Sequence, residues 1–365
     1  MLHTHKALRA LLTGALGALT LYCGVRCADV LPLGAGLWAA GSFLADPAAA
    51  AVAAWQVLDY QLCPPQPTPC PPLPPSPPDL PAQQAAPEAG AEPLPEPAPQ
   101  GAGRIVTAHY QDGTGTNYIP CGAGCIRNCT SLSPAQITDV IGQGLPFSIQ
   151  KDSTEPQVLI MHTHTTESYE EVSRPWYHPD STSRTTDPRH NVVAVGAAIA
   201  QQLNQAGICT IQDTTLHDYP SYNGSYGRSH TTVQQQLEQH PTIKVVLDVH
   251  RDAIIQQDGT WVKPMAQLPD LPACAQVMLI CGADRGGNLP NFRQNLRFAA
   301  AWQASMARLW PGLARPVLLD YRYYNQDLTT GSLLIEVGGH ANTLDEAIQA
   351  GTLAGRALAD ALLNG

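Results

Sequence analysis

The chain lacks a Lys/Arg-rich block. Its 20 basic and 30 acidic residues leave a formal net charge of −10, so nucleic-acid binding has little electrostatic support. It lacks a G-x-S-x-G elbow, and no cysteine stands in a recognisable histidine-paired setting. A serine or cysteine nucleophile is therefore the weaker reading. Walker A and G-x-G-x-x-G phosphate loops are missing, and so is any internal repeat of fixed period. Ten cysteines are present, but none has the paired C-x₂-C spacing of zinc ribbons. Cys121, Cys125 and Cys129 are separated by three residues on each side, which also differs from common iron–sulfur runs. In a protein outside the cytoplasm disulfides are the more natural use of cysteine. At least one is expected in this group, although sequence cannot give the pairing.

What is present is uneven along the 365 residues. His3, Lys6 and Arg9 precede an apolar run from Ala10 to Val25, slightly short of the ~20 residues of a bilayer span. A second apolar stretch, Val30 to Trp55, is interrupted by Asp46 and Pro47. The preferred reading is a single uncleaved N-terminal anchor. The early basic residues hold its start in the cytoplasm and leave the body outside the membrane. A cleaved signal peptide and a hairpin of two apolar helices are the alternatives. Sixteen of the 33 prolines lie between Pro64 and Pro99; such a tract cannot bury a core and is expected to be an extended spacer. The resulting division is a membrane region at 1–60, a Pro-rich linker at 61–103, a small N-terminal element at 104–150 and a catalytic body at 151–365. In the small element a strand is expected at Arg104–Ala108 and a short helix from Ser133-Pro134 to Ile141.

In the body, apolar strand candidates alternate with helix candidates. The strands are Val158–Met161, Ile208–Gln212, Val245–Val249, Ala275–Cys281, Val317–Leu319 and Leu333–Val337. The helices are Asn191–Gln205, Ser229–Gln239, Asn291–Leu309 and Asp345–Leu363. Ala206-Gly207 is a helix stop, and Asp345 with Glu346 suits a helix start. This order predicts an α/β fold with a mixed, largely parallel sheet and helices on both faces.

Three strand candidates deliver ionisable residues at or near their C-terminal ends. Val158–Met161 runs into His162-Thr163-His164-Thr165-Thr166-Glu167, Val245–Val249 into His250-Arg251-Asp252, and the last strand carries Glu336 ahead of Gly338-Gly339. Ligands bind at that edge in open α/β sheets. Imidazole and carboxylate suit zinc, and amide hydrolysis needs three protein ligands, an open position for water and a separate carboxylate base. His164 leaves the strand and is better placed to reach beyond the sheet than His162; with Glu167 it shares a face if a helical turn begins there. Glu336 in an apolar strand is costly unless paired or near a metal, and burial would raise its pKa, as suits a general base. Arg251 is a candidate for a substrate carboxylate. Asp252 could orient Arg251 or support a ligand histidine, and Asp248 reads as structural. His340 and Asn342 share the last loop. For each residue there is a plainer reading: a buried histidine bonded to backbone, a glutamate capping a turn, or Glu336 facing solvent on an edge strand.

At these residues the chain resembles the stage II sporulation protein P family of endospore-forming bacteria. The resemblance rests on Pro156–Tyr169, Ser225–Ser229, Val249–Ala253, Tyr324–Leu328 and Glu336–Thr343, and covers roughly residues 145–365. It implies a fold similar to zinc-dependent N-acetylmuramoyl-L-alanine amidases and cleavage of peptidoglycan between N-acetylmuramic acid and L-alanine during engulfment. It also implies endopeptidase activity on cross-links. The implied cofactor is Zn²⁺. The implied partners are sporulation protein D, a lytic transglycosylase, and the membrane protein sporulation protein M, with the body in the intermembrane space of the sporulating cell. Laid on the amidase pattern, His164 and His250 take the ligand places, His162 the turn and Glu336 the catalytic place. Glu167 is the expected carboxylate ligand, with Glu170, Glu171, Asp180 and Asp187 as alternatives. Tyr169, Arg228, Gln326 and Asn288 are expected substrate contacts. The other function class is a wall-binding scaffold that keeps the fold without activity; a zinc peptidase of different specificity is a third reading.

Overall fold

A computed structural model describes residues 97–365, which fall in one compact unit, Pro69–Gly365. The anchor, signal and hairpin readings of residues 1–60, and the linker up to residue 96, lie outside the described residues. Among the described residues no helix is long and apolar enough to cross a membrane.

Eight strands make the main sheet: β2 (Tyr118–Cys121), β3 (Gly124–Asn128), β4 (Val158–Met161), β6 (Thr210–Gln212), β7 (Val245–Asp252), β9 (Val277–Gly282), β10 (Val317–Asp320) and β11 (Ser332–Gly339). Their order is β2-β3-β10-β9-β11-β7-β4-β6. The pairs β3–β10, β10–β9, β11–β7, β7–β4 and β4–β6 are parallel, while β2–β3 and β9–β11 are antiparallel. The sheet is thus mixed and largely parallel. Its direction reverses once in the interior, at β9–β11.

Five helices are described: α1 (Pro134–Ile141), α2 (Val192–Gln205), α3 (Ser225–Gln239), α4 (Phe292–Leu309) and α5 (Leu344–Asn364). Their starts are chemically marked. Ser133 and Gln136 close a capping box on α1, Asn191 accepts from Val193 N–H on α2, and Thr343 with Glu346 boxes α5. Gly207, at φ +84, follows α2 as the expected left-handed stop. Helices cover both faces unequally. The apolar sides of α1, α2, α4 and α5 enclose one large core with Val158, Ile160, Val245, Leu247, Leu279, Leu333 and Ile335. The alternate residues Leu159, Met161 and Val246 point the other way, onto Val233 and Leu237 of α3.

Residues 104–150 contribute to both sheets. β1 (Gly103–Ala108) pairs with β5 (Trp176–Tyr177) and β8 (Trp261–Pro264) in a three-stranded sheet. The hairpin of β2 and β3 extends the main sheet beside β10, and α1 adds Ile137 and Val140 to the core. Pro120 is tolerated because β2 is an edge strand. Among the described residues the expected disulfide is not formed: Cys121, Cys125 and Cys129 are free, as are Cys274 and Cys281. Cys121 stands opposite Gly124 and Cys125 opposite Pro120, so the two thiols leave opposite faces of the hairpin. Cys23, Cys27, Cys63 and Cys70 lie outside the described residues.

Candidate metal centre

β4 and β7 run parallel, from Val158 opposite Val245 to Met161 opposite Asp248. On the other side of β7, β11 places Glu336 opposite His250. Three strands therefore end side by side at one edge.

Beyond Met161 the chain turns through Thr163–Thr166, and buried carboxylates fix the turn. Thr163 donates to Asp248 from its N–H (2.8 Å) and its hydroxyl (2.7 Å). Thr166 does the same to Asp218 (3.1 and 2.6 Å). Glu167 N–H then donates to His164 O at 3.0 Å, which brings His164 and Glu167 to one side. From β7, His250 reaches the same point. One ligand atom from each of His164, Glu167 and His250 lies within 4.8 Å of the others, and all three residues are buried. Glu167 Oε1 is 3.5 Å from His164 Nδ1, and its Oε2 is 3.3 Å from His250 Nδ1. Ligand atoms around a tetrahedral zinc with bonds of ~2.0–2.1 Å lie roughly 3.3 Å apart. Two imidazoles and a carboxylate at these separations fit a divalent cation of that kind.

The electrostatics agree. Burial by itself would raise the Glu167 carboxyl. Bonds from His164 and His250, with the charges of His250 and Arg251, outweigh it and hold Glu167 well below the ordinary range. Burial would also push His250 down, but Asp248 and Glu167 hold it well above the usual histidine value. Its Nε2 is 2.7 Å from Asp248 Oδ1, although off the line of a good hydrogen bond. Asp248 thus backs the outer nitrogen of His250 and leaves Nδ1 facing Glu167.

Glu336 shares a face with His250 and Asp248 because aligned positions on parallel strands point the same way. Its Oε2 is buried and, among the described residues, has no hydrogen-bond partner. Burial raises its pKa to about 8, with His250 pulling down and Asp252 and Glu167 pushing up. Just beyond it β11 changes register before Gly339, at Gly338 with φ +67. That conformation suits glycine and lets Asn342 Oδ1 accept from Gly339 N–H at 2.9 Å.

The other expected site residues have different partners. His162 is fully buried, with Nδ1 2.9 Å from Val249 O and Nε2 2.9 Å from Gln212 Nε2. Burial drops its pKa to about 4, and it packs where a Cβ on Gly196 of α2 would stand only 2.7 Å away. It is a core histidine. Arg251 is not open to a substrate carboxylate, because it donates to Ser168 O (2.9 Å) and Ser183 O (2.8 Å) and is buried. Asp252 binds Arg315 at 2.7 Å rather than orienting Arg251 or supporting a ligand. Tyr169 donates to Val337 O within the core. Arg228 donates to the carbonyls of His217, Asn223 and Ser221 and so braces the loop before α3. Gln326 is buried, bonded to Gly282 N–H and Ile280 O. Asn288 is exposed. It follows β9, whose end lies at the edge opposite the metal group because β9 runs antiparallel to β11. Among the alternative acids, Glu170 pairs with Arg174, Asp187 with Arg189 and His190, and Glu171 and Asp180 are exposed.

Some neighbours of the group were not legible in the sequence. Arg184 arrives because residues 183–191 return beside 166–168, with Glu167 bridged to Arg184. Its guanidinium binds Asp218 at 2.7 Å and stands 3.7 Å from Glu167. Tyr222 stacks on His164 with centroids 4.6 Å apart, and Tyr226 meets His164 edge-on at 5.4 Å. For Arg184 no sequence signal existed. For Asp248 the alternation Asp248-Val249-His250 placed both side chains on one face.

A family model described as stage II sporulation protein P matches residues 107–362. Stage II sporulation protein P of Bacillus subtilis (strain 168) is 30% identical over 209 residues, which is 54% of this chain and 49% of that protein. The chain thus spans about half the length of the curated relative it matches. Among solved structures, the N-acetylmuramoyl-L-alanine amidase AmiC2 of Nostoc punctiforme is similar at 11% identity and a TM-score of 0.33, over 57% of this chain and 95% of that one. The CwlD amidase of Clostridioides difficile, solved with the GerS lipoprotein, is similar at 12% identity and a TM-score of 0.35, over 56% and 95%.

Proposed function

This chain belongs to the stage II sporulation protein P family, and from that premise we propose that it is a zinc-dependent hydrolase of peptidoglycan. The bond cut is the amide between N-acetylmuramic acid and L-alanine. The observation that carries the reading is the buried His164–Glu167–His250 group beside the unpartnered carboxyl of Glu336.

His164, Glu167 and His250 would hold the metal, and a zinc ion there lowers the pKa of a bound water and polarises a carbonyl. The protein's own groups do the rest. Asp248 fixes the His250 ring from behind, and the two threonine–carboxylate clamps hold His164 in place. Arg251 N–H donates to Glu167 Oε2 at 3.2 Å and orients the carboxylate. Glu336, whose Oε2 has no hydrogen-bond partner among the described residues, takes the proton of the attacking water and passes it to the leaving amine. Burial, more than its charged neighbours, raises its pKa to about 8, which suits that shuttle.

The family resemblance supplies the rest of the proposal. The body acts outside the membrane, in the intermembrane space of a sporulating cell, tethered by residues 1–60. It works on engulfment with sporulation proteins D and M and also cuts cross-linking peptides. The test is a digest of purified peptidoglycan. Wild type should release peptides with a new L-alanine N-terminus and carry about one zinc per chain. His164→Ala should lose both, and Glu336→Gln should keep zinc but release nothing. Equal release by all three proteins would refute the mechanism, and full activity in zinc-free protein would refute the metal.

A further inference from the structure

Tyr226 lies in the first turn of α3, and several bonds hold that turn. Asn325 Nδ2 donates to Tyr226 O at 2.9 Å and to Ser229 Oγ at 3.0 Å. Ser229 Oγ is 2.8 Å from Thr163 Oγ1, which donates to Asp248. Asp248 in turn backs His250. The first turn of α3 is therefore tied to the carboxylate that supports a proposed metal ligand.

The ring is fixed on two sides. Its edge meets His164 at 5.4 Å, and Tyr324 stacks on it at 5.4 Å. The hydroxyl is different. Among the described residues it makes no hydrogen bond, whereas the hydroxyls of Tyr169, Tyr177 and Tyr324 are all engaged. Nor is it one of the sealed, unpartnered polar atoms. Burial raises its pKa, and the charges of Asp248, Glu336 and Glu167 push the same way. Tyr222, the other tyrosine against His164, is 53% exposed and lacks this anchoring.

We propose that Tyr226 is a further catalytic residue, whose phenolic O–H donates to the oxygen that becomes anionic when the scissile amide is attacked. This role rests on the hydrolase reading above. As the water oxygen bonds to the carbonyl carbon, the C=O π pair moves onto the carbonyl oxygen and the water proton passes to Glu336. Tyr226 stabilises that oxygen by a hydrogen bond and keeps its own proton. The pair then re-forms C=O, the C–N bond breaks, and Glu336 protonates the amine. A preorganised donor of this kind is typically worth about 10²–10³ in kcat.

The test compares full-length wild type, Tyr226→Phe and Glu336→Gln on a soluble, uncross-linked muramyl peptide. Zinc content and thermal unfolding are measured on the same samples. Phe keeps both ring contacts and removes only the donor. Tyr226→Phe should lose about 10²–10³-fold in kcat, with KM, zinc content and melting temperature near wild type. A kcat equal to wild type overturns the role of Tyr226 and leaves the hydrolase reading standing, provided Glu336→Gln is inactive. A loss that tracks lost zinc or a lowered melting temperature also overturns it, because the effect would then be structural. If wild type itself releases no L-alanine amine, the hydrolase reading fails and the assignment of Tyr226 falls with it.

Discussion

Across the antiparallel β9–β11 pair the main sheet divides into two halves whose strands end in different chemistry. In the half made of β11, β7, β4 and β6, the C-terminal edge gathers His164, Glu167, His250 and Glu336. In the half made of β3, β10 and β9, strands run the other way, and polar ends are settled locally. Asp320 at the end of β10 binds exposed Arg322 at 2.9 Å. Asn128 at the end of β3 donates to Leu132 O and accepts from Thr130. Gly282 N–H at the end of β9 donates to Gln326. One reversal of direction thus confines the reactive groups to one edge, where buried charges have one another and a carboxyl without a partner.

That contrast can be broken most sharply at Glu336. Glu336→Gln keeps the shape of the site and removes the proposed base. Activity on muramyl peptides should fall by about 10²–10⁴-fold, the usual worth of a positioned base, with zinc content unchanged. Next is Asp248→Asn, which withdraws the charge behind His250. Zinc affinity, read by competition with a chelator, should weaken by about 10–100-fold. On the α2 side, Gly196→Ala drives a methyl into His162 and should cost about 1–3 kcal/mol in denaturant unfolding, as overpacking does.

Glu336 also sets a pH dependence in metal-stripped protein. Its folded value, about 8, lies above the ordinary 4.5. Between those values the unfolded chain has released a proton that the folded chain still binds, so stability falls as pH rises from about 4.5 to about 8. Below that window the contribution is fully present. Glu336→Gln should flatten the slope in melts run from pH 4.5 to 8.5; parallel curves for the two proteins would contradict the buried-acid picture. The smallest effect belongs to the other half. Asp320→Asn removes an exposed ion pair and should shift stability by roughly 0–1 kcal/mol, with hydrolysis unchanged.

Much of the frame was readable from periodicity and punctuation. The apolar runs at Val158–Met161, Val245–Val249 and Leu333–Val337 are strands within β4, β7 and β11, and Ser133, Asn191 and Gly207 mark helix ends. β2, β3, β5 and β8 were not read. All four are short, and β2 and β8 each contain a proline, Pro120 and Pro264; β3, β5 and β8 are placed by strands distant in sequence. α3 begins at Ser225, one turn before the expected Ser229, because Gly224 at φ +82 lets the chain enter the helix there. The meeting of His164, Glu167 and His250 was legible because strand ends deliver their residues to one edge. The roles expected for Arg251, Tyr169, Arg228 and Gln326 were not supported, because nothing in a sequence shows which carbonyls a guanidinium, a phenol or an amide will find.

The sequence by itself determined the α/β alternation, the edge where ionisable groups collect, and the residue types available for zinc chemistry. These follow from local pattern and from the fixed geometry of strands. Tertiary structure alone decided which groups stay free to react. It gave Arg251 and Asp252 to structural partners, buried His162 against Gly196, set Asp248 behind His250, and left Glu336 Oε2 and the Tyr226 hydroxyl without hydrogen-bond partners among the described residues. The physical reason is that a polar side chain's role depends on whether folding satisfies its hydrogen bonds, and those partners come from residues far away in the chain.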